Sequence, residues 1–361
     1  MNTTVEVLGF AREPAWLPWA VTYFFLIGIS TSAFILSLPG LAWRHPDWRN
    51  VSRRALLVAL VCGVAGPVAL LADLHQPGRF LNFYLHPNLG SWMAWGAFFI
   101  PLYMFGLFLY AWLCLRPQLA ILGKSGDRFA GVYRTLALGG HDNPGAIKAA
   151  ALLGGIGAAL ILLYTGMEVM VVQARPMWHS PVLPLLFLVT ALSGGLGMTA
   201  LFEALRGHKA AAPLLNRWLV RSQWAILLLL LVWWLSGVSG LSGAATEALA
   251  AMQGAFSWWV TGAWLLGSTL LTLWLASSRR HTLVLPALFA LQGAWTVRWV
   301  VLMVSQSLPK MGATTHDYFL TLTPDGLLGI VSMVGLCLTL YIVLTSLIPW
   351  DDLAQDHGVQ S

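Results

Sequence analysis

The chain has 361 residues, of which 58% are hydrophobic and only 9% charged, against about 25% charged in soluble globular proteins. That balance excludes a water-soluble enzyme or binding domain of this length and requires a helical bundle folded in lipid. The formal net charge is +6, but the basic residues stand between apolar segments, as topology determinants do, so no nucleic-acid partner is expected.

Apolar runs of about 20 residues mark membrane helices, and nine are predicted, near 18–43, 54–73, 92–115, 147–173, 181–205, 218–238, 256–277, 282–305 and 325–348. The expected fold is an all-α, polytopic bundle in which residues 1–361 form one integral-membrane domain. No basic segment precedes the first apolar run, which is longer than a signal-peptide core, so no cleavable signal is expected. The longest connection, about 116–146, carries Gly-Lys-Ser-Gly and His-Asp-Asn-Pro-Gly clusters and reads as an exposed loop.

Taken in order, the first span opens with Trp16, Trp19 and Tyr23 at i, i+3, i+7, which share a face. Trp16 suits an interfacial aromatic belt, whereas the deeper Tyr23 needs a partner for its hydroxyl. The second span ends at Asp73, followed by His75, Gln76 and Arg79. The fourth carries Tyr164, Glu168 and then Arg175, which a continuous helix would set on one face, with Glu168 roughly 10 Å below Arg175. Gly154, Gly155 and Gly157 in this span, and Gly194, Gly195 and Gly197 in the fifth, are expected to allow close helix packing. Arg298 in the eighth span falls at about the depth of Glu168, which predicts pairing between them. Structural pairing alone would account for an intramembrane acid and base, but a role in proton or ligand handling is the favoured expectation, because buried membrane charges are functional by default. Lys310, His316, Asp317 and Asp325 flank the last loop on the same side, while Glu203 is near the other end of the fifth span.

The orientation follows from charge. Fifteen of the twenty Lys and Arg residues fall in alternate loops, from Arg44 to Arg54, Arg116 to Lys148, Arg206 to Arg221, and at Arg279 and Arg280. By the positive-inside rule those loops face the cytoplasm, which puts the N-terminus outside, the C-terminus inside and the polar cluster toward the outer face. A pocket there with tyrosine, tryptophan, an acid and an arginine suits a quinone headgroup: aromatics stack on the ring, donors reach its oxygens, and an acid conveys protons.

Cys62, Cys114 and Cys337 are isolated in apolar segments, so no iron–sulfur cluster or structural zinc is expected in this chain. Each of the nine histidines falls in a loop, at a span end or in a tail. A transmembrane bis-histidine haem is therefore not expected, nor any other metal centre.

Several elements resemble the NrfD/PsrC family of quinone-interacting membrane anchors of molybdopterin oxidoreductases. They are WLPWAVTYFFLIGIS from Trp16, ADLHQ at Ala72–Gln76, SWMAWGAF at Ser91–Phe98, YTGMEVMVVQARPMW at Tyr164–Trp178, RWVVLMVSQSLPK at Arg298–Lys310 and TPDG at Thr323–Gly326. Within the family the set is most similar to the membrane subunits of tetrathionate reductases. The resemblance implies a bacterial inner-membrane subunit that oxidises menaquinol or ubiquinol. It also implies a 4Fe–4S subunit and a molybdopterin catalytic subunit as partners on the extracytoplasmic side. Tyr164 matches the family's quinone-bonding tyrosine, and Asp73 matches the acid that ends the second span. Tyr23 matches a first-helix position that is histidine in polysulfide reductase, a departure because tyrosine is no base at neutral pH. The expected quinone contacts are thus Trp19, Tyr23, Asp73, His75 and Tyr164, with Tyr164, Glu168 and Asp73 reactive and Glu168, Arg175 and Arg298 forming an ion pair or proton path. The alternatives are the anchor of a related polysulfide- or thiosulfate-type complex, or a proton or solute transporter coupled through Glu168 and Arg298.

Overall fold

The computed structural model describes residues 16–74, 76–125, 128–207, 210–253, 256–278, 282–307 and 318–350. It is helical, with no strand among the described residues. The helices are α1 (Pro18–Leu41), α2 (Arg49–Asp73), α3 (Asn82–Leu85), α4 (Trp92–Leu122), α5 (Ala130–Leu136), α6 (Pro144–Met170), α7 (Val182–Leu205), α8 (Ala212–Val238), α9 (Gly243–Met252), α10 (Phe256–Ser277), α11 (Val284–Leu302) and α12 (Leu327–Leu347). Among the described residues nine of them, all but α3, α5 and α9, are long and apolar enough to cross a membrane. In lipid every backbone polar group must find its partner within the protein, and a helix supplies those partners along its own length.

The nine segments match the predicted spans, with different ends. Helix α4 runs seven residues past its predicted limit, and α5 occupies part of the connection read as a loop. Helix α6 stops at Met170, with the Val171 N–H closing on the Met167 carbonyl. Glu168 therefore sits in a last helical turn, and Arg175 lies in the turn that follows. The common face drawn from Tyr164 through Arg175 ends where the helix does.

Helix α1 is the axis of the bundle. It packs against α2, α6, α7, α11 and α12, and 83% of its central stretch is buried, against 11% for α12. Without a hydrophobic contrast between lipid and side chain, small residues and polar clamps set such packing. A Cβ on Gly106 would come within 2.5 Å of the Gly154 Cα, so α4 and α6 touch backbone to backbone. Gly195 does the same for α7 against Ser32 of α1, whose hydroxyl donates to the Ala191 carbonyl at 2.7 Å. Gly155 departs from the expectation, since nothing lies within 4 Å of its Cβ position.

Pro39 inside α1 is accommodated by a side chain from α2. The Ser52 hydroxyl accepts from the Gly40 N–H at 2.9 Å and donates to the Leu36 carbonyl at 3.0 Å, bridging one interrupted rung of the helical ladder.

Candidate functional site

At the end of the bundle where α2 and α6 finish, a chamber of about 440 Å³ opens among α1, α2, α4 and α6. Its walls are mostly apolar, from Ala20, Pro67, Leu70, Met93 and Ile100. Phe80, just before α3, and Phe83 and Tyr84 within it cover one side, and all three are partly exposed. Besides Tyr84, the polar side chains of the lining are Tyr23, Asp73, Tyr164 and Glu168.

Their placement follows from helix geometry. Tyr164 and Glu168 are one turn apart on α6, which sets the tyrosine ring and the carboxyl on one face of the helix, along the same chamber wall. Tyr23 approaches the same pair from α1 and lines the chamber with them. It is 1% exposed, and among the described residues its hydroxyl has no hydrogen-bond partner. Glu168 is 8% exposed, and its Oε2 is likewise unpartnered. Two orphaned polar atoms beside one chamber are a standing cost unless something in the chamber completes them. Gly96 of α4 makes room for the arrangement, since a Cβ there would lie 2.5 Å from the Tyr164 hydroxyl. Asp73 is half-buried and accepts from the Leu17 N–H at 3.2 Å, tying the end of α2 to the start of α1.

The other predicted residues are distributed differently. Trp19 is outside the chamber: its indole N–H donates to Asp325 at 3.3 Å, and its ring packs against Gly329 of α12. Trp16 lines the chamber in its place, stacked on Phe24 at 5.4 Å. Trp16 precedes the helix, which begins at Pro18 after an extended Leu17, so the i, i+3 facing expected from the sequence does not hold for this pair. His75 lies outside the described residues, as do Lys310, His316 and Asp317.

The expected Glu168–Arg298 pair is absent. Arg298 is buried, and its guanidinium is taken up by the Phe24 carbonyl at 3.0 Å, Thr190 at 3.0 Å, the Ala294 carbonyl at 2.9 Å and the Phe187 carbonyl at 3.3 Å. Its planar fork thus joins α1, α7 and α11 through neutral acceptors, and matched depth did not mean matched facing. Arg175 is not paired with Glu168 either. It lies over the Trp178 ring at 5.0 Å and donates to the Ser305 carbonyl at 3.2 Å. Partial burial lowers its pKa from the ordinary guanidinium value.

A second hollow of about 300 Å³ adjoins the chamber, between the start of α4 and the turn after α6. Ser91, Trp92, Val172, Arg175 and Trp178 are among its walls. At the opposite end of the bundle, Glu203 faces Arg54 at 3.8 Å. Among the described residues there is no cluster of His, Cys, Asp and Glu that would hold a metal ion.

Sequence reasoning missed Gly96, the covering segment from Phe80 to Tyr84, and the second hollow. SWMAWGAF contains the glycine, and its signal was a small residue between large ones, legible only once Tyr164 is known to stand opposite.

An apolar chamber of this size with a few convergent polar groups takes a small amphiphile with hydrogen-bonding ends. The fold and site define a multi-pass membrane protein with an apolar chamber, edged by a few polar groups, near one end of its bundle. The chain belongs to the NrfD family: the family described as "Polysulphide reductase, NrfD" matches residues 7–310. It is similar to a subunit of the tetrathionate reductase of Salmonella typhimurium, 37% identical over 94% of both sequences. It is also similar to protein NrfD of Escherichia coli, 28% identical over 83% of this sequence and 98% of that one. A shorter match, 26% identical over 49% of this sequence and 55% of the other, is to one of the polypeptides of polysulfide reductase from Wolinella succinogenes.

Proposed function

We propose that this protein is the quinol-oxidising membrane subunit of a molybdopterin reductase complex in the bacterial inner membrane. Its partners are an iron–sulfur subunit, docked at the chamber end of the bundle, and a catalytic subunit beyond it that reduces tetrathionate or a related sulfur compound. Bound quinol supplies two electrons and two protons. The observation that carries the reading is the pairing of the orphaned Tyr23 hydroxyl and Glu168 Oε2 beside an apolar chamber. Two hydroxyls and a carboxyl fit a ring with oxygens at both ends, and the apolar walls fit its ring and tail.

In this scheme Tyr164 and Tyr23 orient the headgroup through their hydroxyls, and Glu168 receives a proton as electrons leave. The charge pattern supports an extracytoplasmic chamber end, which agrees with partners docked there. The names of relatives support the assembly, since two of them are single components of multi-subunit reductases.

The test is a pair of assays on the assembled complex. Tyr164→Phe and Glu168→Gln should slow quinol-driven reduction by about a hundredfold, while activity driven by an artificial dye that reduces the soluble subunits stays at the wild-type level. A parallel fall in both assays would remove the quinol role. The transporter alternative has lost its proposed coupling pair, because the Arg298 donors go to α1, α7 and its own helix.

A further inference from the structure

Chamber and second hollow adjoin, and three residues belong to the lining of each. Trp16, Met93 and Glu168 line both. Trp16 is pinned there, stacked on Phe24, 5.9 Å from Trp178, and exchanging backbone bonds with the Gln306 side chain. Of the three shared side chains only Glu168 can carry a proton. Asp73 lines only the chamber, and Arg175 only the second hollow.

The second hollow also lies at the end of the bundle. Ser91 precedes α4, and Val172 and Arg175 follow α6, so its outer walls are residues beyond the helix ends. Val171, which also lines it, is 43% exposed. The chamber reaches deeper among apolar side chains of α1, α2 and α4, and at its mouth it is covered by Phe80, Phe83 and Tyr84.

Building on the quinol reading, we propose that Glu168 is the gate between two compartments: it takes protons from the substrate chamber and releases them into the second hollow, which is the proton exit. Each turnover delivers two electrons to the iron–sulfur partner and two protons to Glu168, one at a time. An O–H bond forms on the carboxylate at the chamber side and breaks to water at the other. Arg175 supplies a fixed positive charge in the exit compartment that favours the carboxylate once the proton has left. Asp73 then has no part in the exit and serves to join α1 to α2.

The experiment uses the full chain in its complex, with Glu168→Cys exposed to a small, membrane-impermeant methanethiosulfonate. The wild type serves as background, because Cys62 and Cys114 are buried and Cys337 is half-buried. Modification of Glu168→Cys is expected, its loss when Val172→Trp fills the hollow, and its persistence when Ala97→Trp fills the chamber. Ser91→Phe repeats the plug from the opposite wall. Loss with Ala97→Trp alone, no effect of either plug, or no modification in any variant overturns the proposal. On an intact Glu168, Val172→Trp should leave menadione binding and dye-driven activity unchanged, slow menadiol oxidation, and enlarge its solvent deuterium isotope effect. Menadione affinity falling in step with turnover would show a single compartment and overturn it as well. If the wild-type complex neither binds menadione nor oxidises menadiol, the quinol reading fails on its own, and the labelling pattern still decides the route.

Discussion

Gly96 and Trp19 make opposite predictions at the residue scale. A methyl group on Gly96 would sit 2.5 Å from the Tyr164 hydroxyl, so the tyrosine must leave its place beside Glu168. Gly96→Ala should slow quinol-driven turnover about as much as Tyr164→Phe does, by about a hundredfold, with normal assembly on a native gel. Trp19→Phe, on a tryptophan that bonds Asp325 away from the chamber, should leave quinone-analogue affinity within about twofold of wild type, well under 1.4 kcal/mol. An affinity loss would return Trp19 to the site. Tyr164, Glu168, Tyr23 and Asp73 were legible in the sequence because each is a polar group in or beside an apolar run, which is costly without a use. Trp16 and Trp19 were not separable that way, since tryptophan is ordinary at a membrane interface and only the neighbour decides which ring faces the chamber.

The glycines of α6 show what an element-scale pattern leaves open. A Cβ on Gly154 would stand 2.5 Å from the Phe34 ring, whereas one on Gly155 would meet nothing within 4 Å. Gly154→Ala should lower stability by about 1–3 kcal/mol through overpacking. Gly155→Ala should be neutral or slightly stabilising, since alanine is the better helix former. Thermal denaturation of the detergent-solubilised protein separates the two, and equal shifts would contradict the packing described. The short end of α6 has a functional consequence: Glu168 stands in the last turn, so α1 and α4 bury it, and the turn after the helix holds Arg175 beside the second hollow. Arg298 is an element-scale clamp as well. Its Nε and Nη2 reach two other helices through a planar fork that lysine does not have.

For the whole molecule, the testable statement is orientation. Ser125, after α4, and Ser239, after α8, lie at opposite ends of the bundle. If the basic loops face the cytoplasm, Ser239→Cys should react with an impermeant thiol reagent in intact cells and Ser125→Cys only after lysis. The reverse pattern would move the chamber to the cytoplasmic side, and the site of partner docking with it. The sequence by itself determined nine spans, their helical state and the polar bias toward one end. Lipid leaves the backbone few alternatives, and charge distribution is written linearly along the chain. Only the tertiary structure decided which polar groups meet. In helices apolar on every side, no stripe marks the face that turns inward, so Tyr23 could join Glu168 and Arg298 could turn away from it only through the packing of α1 against α6, α7 and α11.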